Sequence, residues 1–225
     1  MERWNVGIVL FPDVELLDFS GPYEVFSRAR SGSDAGTGSA NAEPPFQVFT
    51  VARTRKTLAT FGGLVVTPHY AFHDHPEIDV LVVPGGPGVG ALLDEAATIE
   101  WIRGVAVSAK LVTSVCTGAL LLARAGLLDG RRATTHHGAF DRLAALGDGI
   151  VVERDTRVVD DGVLTSAGVS AGIDLALHVV ERHCGHAAAV ETARSIEYPW
   201  EAAAVPGTAN PASSATALPE RSAAR

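Results

Sequence analysis

Three strand-length apolar runs, Val6–Phe11, Ile78–Val83 and Leu111–Val115, constrain this chain more than any other feature. They are nearly continuous rather than alternating, so both faces of each strand must be covered. Central strands of a parallel sheet with helices on both sides have this pattern. Shorter strand patterns occur at Phe46–Ala52, Leu64–Thr67, Arg132–Thr135, Ile150–Val152, Thr156–Val159 and Val163–Thr165. Helical patterns alternate with them: one beginning near Pro22, then Val89–Ala109, Thr117–Ala125, Gly138–Leu146, Ala171–His183 and Ala187–Ile196. Asp161 and Gly162 predict a hairpin turn. The alternation predicts an α/β fold around an open, mostly parallel sheet.

A chain of 225 residues that is 47% hydrophobic can bury one core. One α/β domain is expected over 1–200, followed by a disordered tail over 201–225, where Ala, Pro, Ser, Thr and Gly take over. Ser31–Pro45 reads as a flexible surface excursion. The net charge of -8 disfavours a nucleic-acid partner, which needs a positive footprint. The first apolar run is too short for a signal-peptide core or a membrane span, so a cytoplasmic protein with no membrane partner is expected. Cys116 and Cys184 lie far apart and form no CxxC pair, against a disulfide framework or zinc knuckle. No GxGxxG or P-loop pattern follows the first strand. His73 and His75 flank Asp74, but a metal site wants three or four convergent ligands.

Cys116 stands where an apolar strand meets a small-residue helix, in Leu111-Val112-Thr113-Ser114-Val115-Cys116-Thr117-Gly118. In such an elbow the thiol projects from a tight turn, and the N–H groups of the next helix favour the thiolate. A buried, inert cysteine fits the local pattern about as well. Asp18, between Leu17 and Phe19, lies just beyond the first strand. If that strand neighbours the Cys116 strand, both residues reach one crevice, and burial beside a like charge raises the carboxyl pKa. Asp18 could equally cap the helix near Pro22, although Ser20 is the stronger cap. Asp13 and Glu15 read as solvated turn charges. Pro84-Gly85-Gly86-Pro87-Gly88 closes a core strand at the same edge, as a tight turn or as a place for an N–H to face a ligand. One of His136 and His137 is expected to face the crevice. Thr117 follows Cys116 where a Cys–His device would want an imidazole.

Taken in order, these motifs resemble the ThiJ/PfpI superfamily, and within it the isocyanide (isonitrile) hydratases. The matching pieces are Gly7–Phe11, Leu17–Pro22, Val82–Leu92, Val112–Leu120, Leu127–His136 and Leu164–Asp174, within about Val6 to Tyr198. The resemblance implies a flavodoxin-like three-layer sandwich with a cysteine nucleophile elbow. It implies Cys116 as nucleophile, Asp18 as proton carrier where other branches use Glu, and Thr117 where the protease-like branch has His. Gly86, Pro87, His136 and Val169 would form the substrate pocket, with the Gly86 amide stabilising an anion. The implied reaction adds the Cys116 thiolate to the terminal carbon of a small electrophile, an isocyanide, giving a thioimidate that water converts to an N-substituted formamide. No metal or organic cofactor is implied, and a homodimer is. The same core also serves glutathione-independent glyoxalases and thiol-based sensors, and these readings stay open. It occurs as well at the amino terminus of AraC-type regulators, whose basic DNA-binding pair is not expected here. His137, the Ser31–Pro45 insertion and Glu197–Trp200 depart from the hydratase pattern.

Overall fold

The computed structural model describes residues 2–30 and 44–201. Residues 31–43 of the expected Ser31–Pro45 excursion and 202–225 of the expected 201–225 tail lie outside them. Along the chain run β1 (Trp4–Val9), α1 (Leu16–Arg28), β2 (Phe46–Ala52), β3 (Leu58–Ala59), β4 (Val65–Val66), β5 (Tyr70–Ala71) and β6 (Val80–Val83). Then come α2 (Val89–Leu92), α3 (Ala96–Ser108), β7 (Leu111–Val115), α4 (Gly118–Arg124), β8 (Arg132–Ala133) and α5 (Phe140–Ala144). The last elements are β9 (Val151–Val152), β10 (Val158–Asp160), β11 (Leu164–Ser166), α6 (Ala171–Cys184) and α7 (His186–Ser195).

Seven strands form one sheet in the order β10-β11-β7-β6-β1-β2-β5. All neighbours pair in parallel except β10 and β11. The three continuous apolar runs become β1, β6 and β7, side by side at the centre. Their residues are buried on both faces, among them Val6, Ile8, Val80, Leu81, Val82, Val83 and Val115. One helical layer is built from α1, α6 and α7, and another from α2, α3 and α4, which makes the three-layer α/β sandwich. The antiparallel edge is the hairpin expected at Asp161–Gly162, with Gly162 at φ +80.

Several boundaries differ from the sequence reading. The helical pattern over Val89–Ala109 is two helices, broken at 93–95. The Gly138–Leu146 pattern divides into a 3-10 turn at His137–Ala139 and α5. The extended stretch at Leu64–Thr67 has an unforeseen antiparallel partner in Leu58–Ala59. Most consequential is α1, which begins at Leu16 rather than near Pro22. Asp18 therefore sits in a helical first turn, and Pro22 lies inside the helix. An interior proline loses a backbone hydrogen bond and costs about 3 kcal/mol. Packing offsets this cost: Asp18, Gly21, Pro22, Val25 and Phe26 recur at helical spacing and are buried. Gly21 and Gly172 allow α1 and α6 to approach closely. A Cβ at Gly172 would stand 3.3 Å from Pro22 Cγ, and one at Gly21 would stand 3.0 Å from Ile173 Cγ1.

Candidate active site

The strands leading to Asp18 and Cys116 are not neighbours, because β6 separates β1 from β7. The two residues meet nonetheless, over the turn that follows β6. That turn carries no side chain where they converge. A Cβ at Gly85 would lie 2.5 Å from Thr117 Oγ1 and 3.0 Å from Asp18 Oδ2. Glycine is thus required at position 85 by the site itself, beyond the needs of a strand–helix turn.

Cys116 adopts φ +56, the left-handed region that side chains avoid at roughly 1–2 kcal/mol. Its backbone is clamped in that state. The Cys116 N–H is shared between the Ser166 and Ala167 carbonyls at 3.2 and 3.1 Å. The Thr135 hydroxyl donates to the Cys116 carbonyl at 2.7 Å. Gly118 packs onto the Val83 and Pro84 carbonyls, where a side chain would collide. Val169 is held at φ +49, unusual for a β-branched residue.

Asp18 is fully buried. Its Oδ2 accepts from the Gly85 N–H at 2.9 Å, while Oδ1 has no well-formed hydrogen bond among the described residues. Burial is the main cause that pushes its pKa up from 3.8 to about 7; the Gly85 N–H opposes this and the Glu15 charge adds to it. The Cys116 thiol and Val169 N–H also act on the carboxyl. The thiol was expected to be acidified by its turn and helix, and the structure reverses that expectation. Burial, then the Asp18 charge, pushes Cys116 up to about 12, against the N–H groups of Thr117 and Val169. Desolvation of a residue that is only 5% exposed outweighs two backbone dipoles.

The Gly86 amide also departs from its expected role. It donates to Thr117 Oγ1 at 3.0 Å, which leaves the Thr117 hydroxyl proton free to donate elsewhere. The N–H groups acting on the sulfur are those of Thr117 and Val169 instead. A cavity of about 330 Å³ opens beside the thiol. It brings together Cys116, Thr117, Gly86, Pro87, His136 and Val169, so all the expected pocket residues share it. Its lining also includes Glu15, read from the sequence as a solvated turn charge, with Phe61, Leu120 and Arg142. His136 Nδ1 accepts from the Gly138 N–H at 3.2 Å, so the neutral ring carries its proton on Nε2. Burial, helped by His137, lowers the His136 pKa and favours that neutral ring. His137 is exposed. Among the described residues no three His, Cys, Asp or Glu groups gather as a metal site, and no helix is long and apolar enough to cross a membrane.

Sequence reasoning missed Glu15, Thr135, Phe61 and Arg142. Thr135 lay inside a motif that had been singled out. Phe61 belongs to the unforeseen β3–β4 hairpin, and Arg142 carried no signal at all.

The model of the DJ-1/PfpI family matches residues 5–182. The isonitrile hydratase of Pseudomonas putida is 38% identical over 202 residues, covering 90% of this chain and 80% of that protein. The glutathione-independent glyoxalase DJR-1.2 of Caenorhabditis elegans is 26% identical over 147 residues, covering 64% of this chain and 77% of its own. Among solved structures, a ThiJ/PfpI family protein from Pseudomonas syringae superposes with a TM-score of 0.77 at 29% identity, covering 89% of this chain and 77% of the other.

Proposed function

Because the chain belongs to the DJ-1/PfpI family, we propose that it is an isocyanide hydratase whose nucleophile is Cys116 and whose proton carrier is Asp18. One observation carries this reading. The Cys116 sulfur has the buried Asp18 carboxyl as its hydrogen-bond partner together with the Thr117 and Val169 N–H groups, and a threonine rather than a histidine follows it in the chain. A thiol whose proton partner is a carboxyl suits a substrate whose reacting carbon accepts both the sulfur and the proton. The terminal carbon of an isocyanide is such a centre.

In this mechanism Asp18 takes the thiol proton and passes it to the isocyanide carbon as the sulfur bonds to the same carbon. The product is a thioimidate, R–N=CH–S–Cys116. Water then adds to that carbon, and the nitrogen gains a proton. The resulting R–NH–CH(OH)–S–Cys116 collapses, expelling the sulfur and leaving R–NH–CHO. Sulfur and carboxyl return to their starting proton count, so one isocyanide and one water give one formamide. The Thr117 and Val169 N–H groups stabilise charge on sulfur as it forms and leaves. The Thr117 hydroxyl, fixed by the Gly86 N–H, is the donor for the water or the nitrogen.

The thiol-sensor reading needs a low-pKa sulfur, and burial supports the opposite here. The glyoxalase reading draws on His136, which shares the cavity. Both enzyme readings are separated by offering an aliphatic isocyanide and methylglyoxal in parallel. Formamide from the first, lost in Cys116→Ala, is the expected result. Lactate from the second without formamide would overturn the hydratase reading.

A further inference from the structure

The cavity beside Cys116 is apolar along Phe61, Val89, Leu120 and Val169, yet two opposite charges stand in its lining. Glu15 is half-buried near Asp18, and Arg142 is exposed on α5. They do not pair with each other. Among the described residues, Arg142 makes no hydrogen bond or ion pair. The nearest carboxylate in sequence, Asp141, is engaged by Arg154 at 2.7 Å. Apart from Arg3, every other arginine among the described residues donates to a carboxylate or a carbonyl. A guanidinium is always charged and offers a planar fork of donors that fits a carboxylate. An unpaired one at a cavity that also holds the thiol therefore points to an anionic ligand.

We infer that Arg142 makes this pocket select small substrates bearing a carboxylate remote from the reacting carbon. Under the hydratase reading, on which this identification rests, the substrate class is an isocyano carboxylic acid. The electrophilic carbon lies at Cys116, and a short apolar spacer runs along Leu120 and Val169. The carboxylate meets Arg142. Glu15 repels a carboxylate from the Asp18 side and so fixes the polarity of binding. A cavity of about 330 Å³ suits a spacer of a few carbons.

Two measurements test this, and the first does not depend on the hydratase reading. Pentanoate and pentanamide are compared as protectants of Cys116 against iodoacetamide, with alkylation read by mass at that residue. Pentanoate is expected to protect at about tenfold lower concentration, as one charge-assisted hydrogen-bonded contact allows. Arg142→Met should erase the difference and Arg142→Lys should keep part of it. Equal protection by the two compounds, or a carboxylate preference that survives Arg142→Met, would overturn the inference. The second measurement compares 3-isocyanopropanoate with butyl isocyanide as substrates. Arg142→Met should raise KM about tenfold for the carboxylate alone and leave kcat near its original value. No turnover of either isocyanide, with the protection difference intact, would sink the hydratase reading while supporting Arg142 as the partner of the carboxylate.

Discussion

Two aspartates are buried among the described residues, and they live under opposite rules. Asp160 ends β10 at the antiparallel edge, beside His178 and Arg182, whose Nη1 donates to it at 3.2 Å. Its pKa is lowered, first by the imidazole and then by the guanidinium, with burial opposing them. Asp18 lies at the carboxyl edge of the central strands with no ion-pair partner among the described residues, and burial pushes it up to about 7. Burial is common to both, so burial alone does not decide the outcome; the partner does. The edge aspartate is neutralised for stability. The central one is left unpaired beside a thiol, and an unpaired buried carboxyl is what a proton-transfer step requires.

The two aspartates should differ most in activity. Asp18→Asn should lower kcat for formamide formation by about 10²–10⁴-fold, the usual range for a positioned acid–base group. Asp160→Asn should leave kcat unchanged. The pH profile sharpens the contrast. The reactive pair is the one that holds a single proton between carboxyl and sulfur. Its kcat/KM should rise about tenfold per pH unit up to about 7 and then level off. A flat profile between about pH 5 and 9 would refute the shared-proton mechanism.

The parts of the fold legible from the sequence were those governed by local rules. Continuous apolar runs become central strands because both faces are covered, and Gly162 turns a hairpin because its φ is positive. Cys116 was legible for the same reason, since a strand running straight into small residues forces an elbow. What escaped was set by tertiary contact. Local helix rules put Pro22 at a helix start, but α1 begins at Leu16, with Asp18 and Phe19 buried in its first turn and Gly21 and Pro22 packed against α6. The sign of the Cys116 shift was wrong because local reasoning counts N–H dipoles and cannot weigh desolvation. Arg142 was invisible because an exposed arginine on a short helix looks the same whether or not a cavity opens beneath it.

Stability against pH should divide the two aspartates next. Asp18 has a raised folded pKa, so its contribution is fully present below about pH 4 and is lost as pH rises through about 7. Asn mimics the neutral acid. Asp18→Asn should therefore match the parent near pH 4 and exceed it at pH 8 by roughly 3–4 kcal/mol, following a shift of about three pH units. Asp160 has a lowered folded pKa, so its contribution is present above about pH 4 and is lost as pH falls through the folded value. Asp160→Asn should cost about 1–2 kcal/mol at pH 7, discounted because Arg182 is half exposed. Urea melts at the two pH values check both signs. Loss of stability at pH 8 in Asp18→Asn would mean that the carboxylate has a partner this structure lacks.

The smallest expected effect is the net change in stability from Val169→Gly, set against the same substitution at the other end. Val169 is held at φ +49 beside Cys116, whereas Val159 is an ordinary, fully buried strand residue next to Asp160. Val159→Gly should cost about 2–4 kcal/mol, from the emptied core position and the extra freedom of the unfolded chain. Val169→Gly bears the same unfolded-state cost but releases a conformation that is unfavourable by roughly 1–3 kcal/mol. Its net change should fall within about 1 kcal/mol of zero. The N–H that acts on the carboxyl and the sulfur survives in Val169→Gly, so the pH profile should not move, while loss of a cavity wall should raise KM. Equal destabilisation by the two glycines would show that the left-handed turn at 169 stores no strain. The difference between the two ends would then lie in charge alone.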